Sequence, residues 1–83
     1  MSYNIENLMR ILAHHEIPFS YNKLNNGDGL TVKYNNKEYS VVCHDFSYGH
    51  EDELLEVCNY AWDDVYGWKT AEEVFNIIKL DFY

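Results

Sequence analysis

Apolar residues along this chain repeat with two periods, and each change of period marks an element. Ile5, Leu8, Met9 and Leu12 recur at i, i+3, i+4 and i+7, which predicts a helix over residues 4–15 opened by Ser2 or Asn4. Pro18 ends it, because a proline disfavours helical backbone at Ile17 and lacks a donor of its own. Phe19 and Tyr21 then alternate with Ser20 and Asn22, the period of a strand, and Asn25-Asn26-Gly27-Asp28-Gly29 reads as a loop.

The next stretch predicts a register as well as an element. With Asn35-Asn36 as a two-residue hairpin turn, Tyr34 faces Lys37, Lys33 faces Glu38, Val32 faces Tyr39 and Leu30 faces Val41. Leu30, Val32, Tyr34, Tyr39, Val41 and Cys43 then share a face that seeks a core, while Thr31, Lys33, Glu38, Ser40 and Val42 share the other. Residues 44–50 break the alternation, and Glu51-Asp52-Glu53 suits the positive end of a helix dipole. A second helix is therefore expected from near His50. Its apolar seam is Leu54, Leu55, Cys58, Ala61, Trp62 and Val65, and its polar back is Asp52, Glu53, Glu56, Asn59, Tyr60, Asp63 and Asp64. Thr70-Ala71-Glu72-Glu73 is a capping box before Val74, Phe75, Ile77 and Ile78, predicting a third helix over 71–79. The expected fold class is α+β in the order α-β-β-β-α-α: a three-stranded antiparallel meander with its helices on one face.

Composition narrows the class of protein. At 83 residues the chain has room for one domain, 1–83, and with 47% hydrophobic and 17% aromatic residues it can build a core and is not intrinsically disordered. No apolar run approaches the roughly 20 residues of a membrane-crossing helix, and Met-Ser-Tyr-Asn-Ile-Glu lacks a signal peptide's pattern, so a cytoplasmic location is expected. Cys43 and Cys58 are too few for a disulfide scaffold and read as buried thiols.

Charge adds the strongest functional signal. The formal charge of -8 opposes binding to nucleic acid or anionic membrane. It is also segregated: Glu38, Asp45, Glu51, Asp52, Glu53, Glu56, Asp63 and Asp64 fall within residues 38–68 without a single Lys or Arg, and the remaining acids and bases balance. Helix dipoles account for Glu51-Asp52-Glu53 but not for anions continuing toward the far end of the expected helix. Carboxylates gathered this way suit a basic protein partner, since an Arg fork binds carboxylate and phosphate alike. Tyr48, Tyr60, Tyr66 and Trp68 lie in or beside the window as aromatic anchors.

The order of elements, the Asn35-Asn36…Glu38-Tyr39 hairpin and the acidic segment resemble, over nearly the whole chain, the small acidic anti-CRISPR proteins of Gram-positive phages that inhibit the RNA-guided nuclease of type II-A systems. The resemblance implies an α-β-β-β-α-α domain that fills the nuclease's PAM-reading cleft as a DNA mimic. By motif it implies partner contacts at Asn35, Asn36 and Glu38, at Trp62-Asp63-Asp64 with Tyr66, and at Glu72-Glu73.

Catalysis and metal binding are the weaker alternatives. Cys43-His44-Asp45 are consecutive at a strand end, so their side chains alternate between faces and do not converge as a relay. His14, His15, His44 and His50 lack the spacing of a structural zinc site, and Asn25–Gly29 lacks the strand-then-helix context of a phosphate cradle. Neither a cofactor nor a metal is expected. The reading is a non-enzymatic inhibitor of a basic nucleic-acid-handling protein such as a CRISPR nuclease. Its partner-binding residues are Asn35, Asn36, Glu38, Asp45, Asp52, Glu53, Glu56, Tyr60, Asp63, Asp64, Tyr66, Trp68, Glu72 and Glu73. The alternative is an accessory subunit that docks through the sheet face of Thr31, Lys33, Ser40 and Val42, or through Phe82-Tyr83, with acidity serving solubility.

Overall fold

A computed structural model of the chain describes residues 2–24, 26–44, 50–59, 61 and 65–80. Helix α1 spans Tyr3–His14, close to expectation, and buries Ile5, Leu8 and Leu12. It closes on a Schellman motif: Glu16 takes left-handed backbone at φ 57, its N–H donates to the Ala13 carbonyl, and the Ile17 N–H donates to Leu12. Pro18 follows directly, where a proline cannot continue a helix.

Strands β1 (Phe19–Leu24), β2 (Gly27–Tyr34) and β3 (Lys37–His44) form an antiparallel meander. The β2–β3 register agrees pair for pair with the one set by an Asn35-Asn36 turn, both residues taking positive φ, 53 and 64. The loop expected at Asn25–Gly29 is shorter than its composition implies, since Gly27, Asp28 and Gly29 already belong to β2. Gly27 is required there: a Cβ would sit 2.1 Å from the Cys43 carbonyl oxygen on β3.

Beyond β3 the expected fold class, α-β-β-β-α-α with three strands and three helices, is wrong. A 3₁₀ turn at His50–Asp52 leads to β4 (Leu55–Asn59) and β5 (Tyr66–Lys69), and α2 (Ala71–Leu80) closes the order α-β-β-β-β-β-α. The five strands are antiparallel neighbours in sequence order. No second helix runs from His50, because the segment fits both periods and burial decides for the strand. A helix would put Val57 on its polar back and Ala61 in its seam, yet Val57 is fully buried and Ala61 exposed. Leu55, Val57 and Asn59 alternate inward with Glu56 and Cys58 outward, and Val57 pairs with Val41 on β3, whose edge would otherwise be open. Cys43 faces the core, whereas Cys58, opposite Ser40, is only half-buried on the outer face.

Both helices cover one face of the sheet. Ile5, Leu8 and Leu12 of α1 and Val74, Ile77 and Ile78 of α2 meet Leu30, Val32, Tyr39, Val41, Leu55 and Val57 in one cluster. The Tyr39 hydroxyl donates to the Ile78 carbonyl, which satisfies a buried phenol at a helix end. Among the described residues no helix is long and apolar enough to cross a membrane.

Candidate functional site

A buried asparagine organises the acidic end of the molecule. Asn4, in the first turn of α1, donates from Nδ2 to the Glu53 carbonyl (3.2 Å) and accepts the Ala71 N–H on Oδ1 (3.0 Å). One amide thus ties together the start of α1, the turn before β4 and the start of α2, segments separated by 49 and 67 positions in the chain. Ser2 adds a longer bond from its hydroxyl to the Glu53 carbonyl. Glu53 holds left-handed backbone at φ 58, a conformation that costs a non-glycine residue about 1 kcal/mol.

The first turn of α2 is built by the capping box read from the sequence. Glu73 N–H donates to Thr70 Oγ1 (3.2 Å), and Thr70 N–H donates to Glu73 Oε1 (2.9 Å). Glu72 accepts a long bond from Asn7 Nδ2 (3.5 Å). With Leu55 paired to Lys69, the chain on either side of the β4–β5 ladder carries Glu51, Asp52 and Glu53 toward Glu72 and Glu73. All five side chains are exposed. Glu6 in α1 is balanced by Arg10 at 3.6 Å, an exposed i, i+4 pair worth a few tenths of a kcal/mol.

Trp68 stands beside this end, 54% exposed and in left-handed backbone at φ 60. The β4–β5 register is irregular here, with Val57 opposite Tyr66 and Leu55 opposite Lys69, so three steps on β5 oppose two on β4. In such a bulge the left-handed position is usually glycine. Gly67 is the neighbour, yet the tryptophan occupies the strained site and points a large ring at solvent. Strained backbone persists where surrounding structure enforces it, and it concentrates at functional sites. Tyr66, by contrast, packs against the core.

The residues expected to form one surface divide into separate places. The β4–β5 register and the Asn4 bridge put Asp52, Glu53, Glu72, Glu73 and Trp68 at one end of the sheet, with Lys69, opposite Leu55, among them. Glu56 lies on the outer sheet face opposite Val42, and Glu38 lies on that face opposite Lys33. Asn35 and Asn36 form the hairpin tip at the other end of β3, roughly 23 Å away along an eight-residue strand. That tip is cationic as much as anionic, with Lys33 and Lys37 lining a shallow depression of about 360 Å³ together with Tyr34, Asn35, Asn36 and Glu38. The single acidic helix face over 52–64 does not exist, because the hairpin of β4 and β5 reverses the chain. Asp45, Tyr60, Trp62, Asp63 and Asp64 lie outside the described residues, as do Tyr48, Phe82 and Tyr83.

A second polar cluster escaped the sequence reading. Asp28, 4% exposed, accepts the Ser2 N–H (3.0 Å) and the Tyr21 hydroxyl, and Lys23 Nζ lies 3.9 Å away. Burial pushes this carboxyl up, but the Tyr21 hydroxyl, the Ser2 amide and the Lys23 ammonium outweigh burial and hold it below the ordinary carboxylate value. Every bond to it is structural, joining the chain's start to the β1–β2 hairpin. A loop-like Asn-Asn-Gly-Asp-Gly run gives no hint of it. Among the described residues no group of three or more His, Cys, Asp or Glu is placed to hold a metal ion.

No protein-family model, curated protein or solved structure matches this chain.

Proposed function

We propose that this chain is a non-enzymatic inhibitor that works in the cytoplasm by seating its acidic end in the cationic groove of a nucleic-acid-handling protein. Its partner is of the type II-A CRISPR nuclease kind, as the anti-CRISPR resemblance implies. The observation that carries the reading is the pairing of exposed carboxylates with an exposed, strained tryptophan. Glu51, Asp52, Glu53 and Glu72 are the charged face, and Trp68 is the aromatic anchor at its margin. Guanidinium forks of the partner pair with carboxylates as they do with phosphates, and an indole supplies the desolvated centre such interfaces need.

Competition with a PAM-bearing duplex for the guide-loaded nuclease is the test. Glu51→Lys with Asp52→Lys should weaken binding on the order of 100-fold and flatten its salt dependence. Trp68→Gly separates site from fold: it should raise stability by about 1 kcal/mol through relief of left-handed strain, and still weaken binding. Full competition by both folded variants would remove the site. No competition by the unaltered chain would remove the nuclease as partner.

A second reading rests on the outer sheet face. Thr31, Lys33, Ser40 and Val42 are uncovered by either helix, so an accessory subunit docking there is the alternative. Such a complex would weaken little with salt and would respond to Val42→Lys rather than to the acidic variants.

A further inference from the structure

We propose that the exposed edge of β1 is the contact of a two-fold symmetric dimer in which two copies of this chain join their sheets. Among the described residues β1 pairs only with β2, and β5 is the other edge of the sheet. The two edges are not alike. β5 has four residues, a bulge and a left-handed Trp68, features that blunt an edge against pairing. β1 has six residues in unbroken register, from Phe19 opposite Val32 to Leu24 opposite Gly27. Its only charge is Lys23, and Pro18 lies outside the strand.

The free groups of this edge can be named. The Lys33 N–H donates to the Pro18 carbonyl (3.1 Å), so Pro18 and Lys33 are a hydrogen-bonded pair of the ladder. By the alternation of antiparallel pairing, Ser20, Asn22 and Leu24 turn their backbone groups toward β2. Phe19, Tyr21 and Lys23 turn theirs outward, and no described residue meets them.

These outward groups fit a second copy of themselves. With the two-fold axis on Tyr21, each Tyr21 exchanges both backbone bonds with its twin and Phe19 exchanges both with Lys23 of the other copy, about six hydrogen bonds in all. The faces match as well. Tyr21 meets Tyr21, Lys23 lies against the Phe19 ring of the other copy, and Ser20 meets Asn22 on the outer side.

Charge favours this edge over any other for self-association. Residues 17–27 contain no acid, in a chain of net charge -8. Asp28, opposite Lys23 on β2, is already met by Tyr21, Ser2 and Lys23, and the exposed Glu16 lies ahead of Pro18, outside the strand. Glu51, Asp52 and Glu53 precede β4, three strands from β1 in the sheet order, and although Ser2 links the Glu53 carbonyl to Asp28, the side chains of all three are exposed to solvent and its screening ions. An edge contact of this kind is small, so the dimer should be weak and populate over about 10 µM to 1 mM.

Sedimentation velocity across that range tests the proposal, with Lys23→Pro and Lys23→Ala as variants. Proline removes an outward N–H that β1 does not use internally, so the variant should fold, by circular dichroism, and sediment as a monomer. Alanine keeps the N–H and should still dimerise. Amide exchange of Tyr21 and Lys23 gives a readout that needs no variant: both should gain at least tenfold protection with rising concentration, while Glu51 and Asp52 do not. A monomer at 1 mM, a Lys23→Pro dimer, an alanine variant as monomeric as the proline one, or concentration-independent exchange at Tyr21 each overturns the proposal.

Discussion

Asp28 shows how one side chain couples folding to pH. Its carboxyl is held below the unfolded value of about 4, so its contribution to stability is complete above that value and drains as pH falls through the folded one. The Asp28→Asn variant should therefore have a shallower acid limb in a stability-against-pH profile. It should also lose about 2 kcal/mol at neutral pH, because the amide has one oxygen where the carboxylate offers separate oxygens to the Ser2 N–H and the Tyr21 hydroxyl, and it carries no charge toward Lys23. An unchanged acid limb in chemical denaturation from pH 2 to 6 would assign the pH dependence to other carboxylates. The Tyr21 phenol, bonded to Asp28, is pushed up by that bond first, then by burial and by the neighbouring negative charge, and so stays protonated through this range.

At the scale of elements, the end of α1 and the start of α2 were legible because both are set by local chemistry, whereas Glu51-Asp52-Glu53, charged like a helix start, opens only a 3₁₀ turn. Thr70 and Glu73 make the reciprocal bonds that their spacing implies, and Pro18 follows the end of α1 as a helix breaker should. One detail was not legible, namely that Glu16 occupies the left-handed position of the Schellman motif where glycine is preferred. Glu16→Gly should raise stability by about 1 kcal/mol in a denaturant melt, with the slope unchanged. The β2–β3 register was equally legible, since two asparagines tolerate the positive φ of a tight turn and the pairing sets Leu30 against Val41, Val32 against Tyr39 and Lys33 against Glu38. Residues 54–65 were not. Their apolar positions satisfy a helical seam, and only the burial of Val57 and the exposure of Ala61 distinguish the strand that forms.

For the molecule as a whole, Asn4 is the residue on which the arrangement of the acidic end depends. Asn4→Ala leaves the Ala71 N–H without its buried acceptor and the Glu53 carbonyl with only the longer Ser2 bond. The expected cost is about 2–3 kcal/mol, read as a lower melting midpoint. Amide exchange should quicken at residues 51–53 and 71–73 before it does in β2 and β3. Uniform exchange across the molecule would show that Asn4 merely adds stability. The candidate site is legible in the sequence only in part for the same reason. Glu51-Asp52-Glu53 and Glu72-Glu73 stand out as charges, but their meeting depends on a side chain near the start of the chain. Trp68 stands out as an aromatic, but its exposure depends on a bulge.

Composition, the capping box, the Asn-Asn turn and the helical stripe of α1 fix the two helices and the central hairpin, because each acts through neighbours close in sequence. Charge segregation likewise marks the acidic residues without any fold. The tertiary structure alone decides that 55–59 and 66–69 pair as strands, since β3 offers an edge whose apolar face must be covered. It also divides the acids between one end and the outer sheet face, because the β4–β5 hairpin returns residues 72–73 to the end that holds 51–53 while strand alternation turns Glu38 and Glu56 outward.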